Sequence, residues 1–192
     1  MNSQLKKLLF YIPLVASITL CAQQVKDFSL VNVADGKTVS LNQFKQHQLV
    51  VVVFTGNDCP YMEYYRDRLA LLSAAWPETV QFLFINSHPE PSEGTSAMKT
   101  KYSQWGIGAP YLADKGQVVM DMLEAQKSPE VFLLKKGNGL YTVVYRGAID
   151  DNPQVAGDVN HNYLKEAIDS MIAGKNPGLA KTRPIGCTIR KK

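Results

Sequence analysis

Two long apolar runs set the frame of the chain. Leu49-Val50-Val51-Val52-Val53-Phe54 is continuous and β-branched, which predicts a strand buried on both faces rather than one that alternates. Thr55-Gly56-Asn57-Asp58 closes it in a turn, and Pro60 follows where a helix can begin without a backbone N–H. Met62, Tyr65, Leu69, Leu72 and Trp76 then recur at spacings of three and four, so an amphipathic helix is expected with those side chains on its buried face. Pro77 stops it. Val80 to Asn86 is the second core strand, and a weaker helix is expected around Ser96 to Gln104 after the Pro- and Ser-containing stretch from Ser87 to Thr95. Strand, helix and strand in that order make a parallel pair.

The flanking segments read differently. Phe28 to Val33 and Thr38 to Ser40 are short strands around the Asp35-Gly36 turn, an N-terminal hairpin. After Pro110-Tyr111-Leu112 a short helix is expected from Gln117 to Ala125. Val131 to Leu134 and Tyr141 to Tyr145 then pair across Gly137-Asn138-Gly139 as an antiparallel edge. A last amphipathic helix from His161 to Ala173 buries Leu164, Ile168, Met171 and Ile172, with Gly174 just past its end. The tail from Lys175 lacks periodicity and is expected to be irregular.

Composition narrows the setting. The chain has 192 residues, a net charge of +4 and three Cys, which excludes a disordered, collagen-like or disulfide-dense protein. Lys6 and Lys7 precede an apolar run, Leu8 to Ala16, and Leu20-Cys21-Ala22 follows. This is a signal-peptide pattern, with cleavage expected near Ala22 and export to a periplasmic or extracellular space. Pro13, Ser17 and Thr19 interrupt the run, too short for a membrane span, so no span is expected once the signal is removed. Leu20 stands where lipoprotein signals carry a small residue, which argues against lipid anchoring through Cys21. The expected organisation is therefore residues 1–22 as signal, 23–174 as one domain and 175–192 as a basic tail. Five basic residues between Lys181 and Lys192, with no acid among them, leave a body without the excess positive charge of a nucleic-acid face.

Loss of Cys21 with the signal leaves Cys59 and Cys187. Cys59 follows a core strand and precedes a helix-initiating Pro, where unpaired N–H groups and the positive helix end favour a thiolate. A small buried Cys packed behind the strand is the bland alternative. Cys187, 128 positions later in the tail, reads either as a resolving thiol for Cys59 or as a structural or intermolecular partner.

An ordered set of motifs goes further. Asn57-Asp58-Cys59-Pro60-Tyr61, Tyr65-Arg66-Asp67-Arg68-Leu69, Ile85-Asn86-Ser87, Ser128-Pro129-Glu130-Val131-Phe132, Tyr145 to Asp151, His161 and Gly186-Cys187-Thr188-Ile189 together resemble the thioredoxin superfamily. The likeness is nearest to its exported peroxiredoxin-like or redoxin branch, related to AhpC/TSA proteins and marked by a Cys-Pro-Tyr motif. The resemblance implies an α/β thioredoxin-like fold with a central mixed sheet flanked by helices. It places Cys59 at the first Cys of a Cys-x-x-Cys pair and Pro129 as the cis-proline opposite it, where the backbone offers hydrogen-bonding groups to an extended substrate. Met62 takes the second Cys position, so the short disulfide of a thioredoxin cannot form. Peroxiredoxins carry their thiolate at that second position, with Thr or Ser three residues before it and a strand Arg. Here Gly56 stands three residues before Cys59, Thr55 one further back, and Arg146 is the candidate strand Arg.

The remaining features carry bland readings. Arg146 is either an edge-strand cation or a partner for the thiolate or for Asp150. Asp150-Asp151-Asn152 with Asp158 lacks the spacing of a Ca²⁺ loop and reads as a solvated turn. His47, His88 and His161 fit no structural zinc spacing, and His161 reads as a helix-start cap. Tyr61, Tyr64 and Tyr65 read as packing around the Cys. No cofactor or metal is expected. The expected activity is thiol–disulfide exchange through a mixed disulfide at Cys59, with Pro129, Arg146 and Cys187 as its other site residues. Partners are protein or small-molecule thiols and disulfides, and peroxides in the alternative of a thiol peroxidase. A non-catalytic thiol-based binding or sensing module is the third reading.

Overall fold

In the computed structural model, residues 23–192 are described; the signal-peptide expectation and Cys21 lie outside the described residues. The strands are β1 (Gln24–Val25), β2 (Ser29–Asn32), β3 (Thr38–Ser40), β4 (Leu49–Phe54), β5 (Val80–Asn86), β6 (Tyr111–Ala113), β7 (Lys127–Ser128), β8 (Glu130–Lys136), β9 (Tyr141–Gly147) and β10 (Cys187–Thr188). The α-helices are α1 (Pro60–Ala74), α2 (Thr95–Trp105), α3 (Val118–Leu123) and α4 (Tyr163–Ile172). Eight strands form one mixed sheet in the order β1-β9-β8-β4-β5-β6-β2-β3, and β10 pairs with β7 in a separate two-stranded unit. β4 runs parallel to β5 and antiparallel to β8.

β4 is buried along its whole length because its side chains alternate between two cores. Leu49, Val51 and Val53 face α1, α2 and α4, meeting Met62, Tyr65, Leu69, Trp105, Leu164 and Ile168. Val50, Val52 and Phe54 face the other way, meeting α3, Phe28 and Leu41. The N terminus of α1 is thereby fixed at the carboxyl end of the central strand, the usual place for a site in an open α/β sheet.

Several expectations are corrected here. β9 is not an edge: β1 pairs with it through Gln24↔Thr142 and Val25↔Tyr141. Tyr111 to Ala113 is a strand joining β5 to the N-terminal hairpin; three residues are too few for periodicity to reveal it. On α1 only Met62, Tyr65 and Leu69 are buried; Leu72 packs at the margin, and Trp76, also half-buried, lies beyond the helix, which ends at Ala74. On α4 Ala167 takes the buried place expected of Ile172, which is exposed. His161 does not cap α4; the N-cap residue is Asn162, whose N–H donates to Glu166, and His161 stacks on Tyr163.

Candidate active site

Cys59 is the N-cap residue of α1, with extended backbone angles and Pro60 immediately inside the helix. Its sulfur is bonded to that of Cys187, with the two Cα atoms 5.9 Å apart. Cys187 arrives on β10, whose register pairs Cys187 with Ser128 and Thr188 with Lys127. The Ser128–Pro129 peptide is cis, and the Ser128 carbonyl oxygen lies 3.0 Å from Cys59 Sγ. Two of the four expected residues thus meet in a covalent bond, and a third, Pro129, stands beside them.

Arg146 is elsewhere. It pairs with Phe132 in the β8–β9 register, and its guanidinium lies over the Phe132 ring, 4.8 Å from the centroid. Phe132 belongs to the α3-side core, whereas Cys59 belongs to the α1-side core. The guanidinium donates to Glu130 Oε1 at 3.2 Å and to the Glu124 carbonyl, and it meets neither the sulfur nor Asp150. Glu130, buried, uses its other oxygen to accept from the N–H groups of Gln126 and Lys127. Arg146 therefore anchors the carboxylate that shapes the β7 segment carrying Ser128.

Asp150 is not a solvated turn residue. It is 2% exposed, accepts from Tyr65 Oη at 2.8 Å, and pairs with Arg68 Nη1 at 2.5 Å. Burial, with the Asp150 carboxylate beside it, pushes the Tyr65 phenol well above its ordinary range. Tyr65 thereby points to Asp150, Tyr64 is exposed, and of the three tyrosines Tyr61 is the half-buried one packed on the Cys59 core.

A buried polar group beneath the turn has no counterpart among the expected site residues. Glu93, 3% exposed, accepts from the N–H groups of Asn57 and Asp58 at 2.7 and 3.1 Å and from the Asn86 side chain. The turn's donors before Cys59 are thus engaged, leaving the first turn of α1 as the favourable charge near the sulfur. Asn86 also donates to Tyr111 Oη, which donates to Asn57, and burial pushes that phenol up. His88 is buried with Nε2 2.8 Å from Ser128 Oγ, and loss of hydration holds its imidazole below 6.5. Lys115 donates to Asn86 Oδ1 and the His88 carbonyl; burial pushes its ammonium down to about 8. In the sequence, Glu93 and His88 sit in a Pro- and Ser-containing stretch without periodicity, so no local signal separates a buried acid there from a solvated one. Among the described residues no group of three or more His, Cys, Asp or Glu side chains is arranged to hold a metal ion, and no helix is long and apolar enough to cross a membrane.

A family profile described as the AhpC/TSA family matches residues 21–149. No curated protein matches the chain at a significant level. Among solved structures, an uncharacterized conserved protein from Geobacillus kaustophilus is 29% identical, with a TM-score of 0.81 over 89% of this chain and 92% of its own. A hypothetical protein from Sinorhizobium meliloti is also 29% identical, with a TM-score of 0.79 over 88% of this chain and 92% of its own. The MTB protein dsbF, seen in mixed oxidized and reduced forms, is 18% identical with a TM-score of 0.51 over 60% of this chain and 82% of its own. At that identity the likeness is one of fold, which is thioredoxin-like.

Proposed function

We propose, from the premise that the chain belongs to the AhpC/TSA family, that it is an exported thiol–disulfide oxidoreductase whose redox couple is Cys59 and Cys187. The observation that carries this reading is the disulfide between a helix-initiating Cys and a Cys on the strand paired with Ser128. Cys187 supplies, from the tail, the second thiol that Met62 does not.

In the reducing direction the Cys59 thiolate attacks a substrate disulfide. A bond forms between Cys59 Sγ and one substrate sulfur, and the other substrate sulfur leaves as thiolate. Cys187 thiolate then attacks Cys59 Sγ, closing the Cys59–Cys187 bond and releasing the second substrate sulfur. The substrate gains two electrons and the protein loses two; a substrate dithiol is oxidised by the reverse sequence. Pro129 and Ser128 hold the backbone against the sulfur, and Arg146 acts at a distance through Glu130. Export follows from Lys6, Lys7 and the apolar run after them.

The experiment compares disulfide exchange and peroxide consumption for wild type, Cys59→Ser and Cys187→Ser with excess small thiol. Exchange should vanish in Cys59→Ser, and Cys187→Ser should accumulate substrate on Cys59. Peroxide should be consumed slowly, since Met62 is buried where a peroxiredoxin keeps its thiolate. Rapid peroxide turnover lost only in Cys59→Ser would make the protein a peroxidase, and no turnover in either assay would leave a binding or sensing module.

A further inference from the structure

Ser128 is the junction of the site, because three of its groups meet different parts of it. Its carbonyl oxygen lies 3.0 Å from Cys59 Sγ, its backbone pairs with Cys187 across β7 and β10, and its buried hydroxyl meets His88 Nε2 at 2.8 Å. A displacement of this one residue therefore reaches both sulfurs. The N–H groups of Gln126 and Lys127 before it are held by Glu130, whereas the side chain of Ser128 is held by His88.

His88 is fixed in turn by its own neighbours. Its N–H donates to Asn86 Oδ1, and its carbonyl accepts from Lys115 Nζ. A Cβ on Gly56 would come within 2.9 Å of Nε2, so a glycine three residues before Cys59 is what leaves room for the ring. Glu90 Oε2, buried without a hydrogen-bond donor among the described residues, lies 3.6 Å from Nδ1. A carboxylate there favours Nδ1 as the protonated nitrogen of the neutral imidazole, which leaves Nε2 to accept from the Ser128 hydroxyl. The other Glu90 oxygen faces Arg190. Of the charged groups around the ring, Glu93 and Glu90 favour a second proton on it, while burial and Lys115 oppose one. The ring borders, together with Cys59 and Cys187, a cavity of about 230 Å³ at the disulfide.

We propose that His88 is a positioning residue for the Cys59–Cys187 couple: by accepting from the Ser128 hydroxyl it holds the Ser128 carbonyl against Cys59 and the Ser128 backbone opposite Cys187. The proposal rests on the redox reading above and adds a residue to the same site. In the reduced protein the Cys59 thiol donates to that carbonyl, which favours the thiol over the thiolate. Without the hydrogen bond the carbonyl is free to turn away, and the start of α1 acts on the sulfur unopposed. His88 itself enters no covalent step.

The test measures the rate of iodoacetamide alkylation at Cys59 against pH in the dithiothreitol-reduced full chain, read by peptide mapping. The variants are His88→Leu, His88→Gln, Ser128→Ala and the His88→Leu, Ser128→Ala double variant, with near-UV circular dichroism to check folding. Relative to wild type, the midpoint should fall by about half a pH unit or more in His88→Leu and in Ser128→Ala, the share of one hydrogen bond. The double variant should fall no further than either single one, since both remove the same bond. His88→Gln, whose amide oxygen still accepts from Ser128, should stay near wild type. A packing role alone would leave Ser128→Ala at the wild-type midpoint. That result, additive shifts, or a His88→Gln shift equal to that of His88→Leu overturns the proposal, and Ser128→Ala decides it if His88→Leu does not fold. Disulfide exchange on the same proteins separates the two readings. Exchange in wild type with midpoints that do not move overturns the proposal and leaves the redox reading intact, whereas midpoints that move as expected without any exchange overturn the redox reading alone.

Discussion

Cys59 sits between influences of opposite sign: the start of α1 favours a thiolate, whereas the Ser128 carbonyl 3.0 Å away favours a thiol that donates to it. The neighbouring His88 has a clearer consequence. Burial lowers its affinity for a proton, against the pull of Glu93 and Glu90 and with the push of Lys115. Below 6.5 the unfolded chain takes up a proton that the folded chain refuses, so stability is fully present above 6.5 and falls as the pH drops. Urea unfolding at pH 7 and pH 5 should show a larger loss for wild type than for His88→Gln; parallel losses would mean that His88 titrates alike in both states. Asp150 gives a test of magnitude. Because it is buried between Arg68 and Tyr65, Asp150→Ala should cost about 3–5 kcal/mol by leaving the Arg68 charge uncompensated. A loss below about 1 kcal/mol, the worth of an exposed pair, would return Asp150 to the surface turn that its Asp-Asp-Asn context suggests. That context is what misleads: a turn sequence says nothing about whether a helix distant in the chain presents an arginine to it, as Arg68 does across a sequence separation of 82.

The elements that were legible are those whose pattern repeats. β4 announces itself by six consecutive apolar residues, and α1 by Pro60 and three buried residues at helical spacing. β6, β7 and β10 are two or three residues long, and a strand of that length is defined by its partner, not by its own sequence. Cys187 was visible as a candidate thiol for the same reason that its neighbourhood was not: residue type survives where periodicity is lacking. The unit of β7 and β10 depends on close approach at Gly186, where a Cβ would collide with the Ser128 carbonyl. Gly186→Ala should therefore lift β10 away. The Ile189 amide, bonded to Gln126, should lose hydrogen-exchange protection, and reoxidation of the Cys59–Cys187 pair should slow. Unchanged protection would show that β10 stays in place and that its pairing with β7 does not depend on the close approach at Gly186.

At the scale of the molecule, the disulfide closes a loop of sequence separation 128, with Cys59 inside the α1-side core and Cys187 packed against it, while most of both cores is made by the sheet and helices. Constraining so long a loop in the unfolded chain is worth about 5 kcal/mol in the chain-entropy account, so the reduced protein should remain folded but less stable by up to that amount in guanidinium unfolding. No difference between oxidised and reduced forms would mean that the tail already holds the two sulfurs together in the unfolded chain. Labour is thus divided in the molecule, with a sheet and helices for stability and a tail for the second sulfur. The most direct measurement of that division is a redox titration of the full chain in dithiothreitol buffers, read by intact mass and peptide mapping, with near-UV circular dichroism recorded alongside. The account predicts a single two-electron transition confined to Cys59 and Cys187, with tertiary structure retained on both sides of it. A disulfide that yields only when the protein unfolds would make the bond a structural staple and contradict the account.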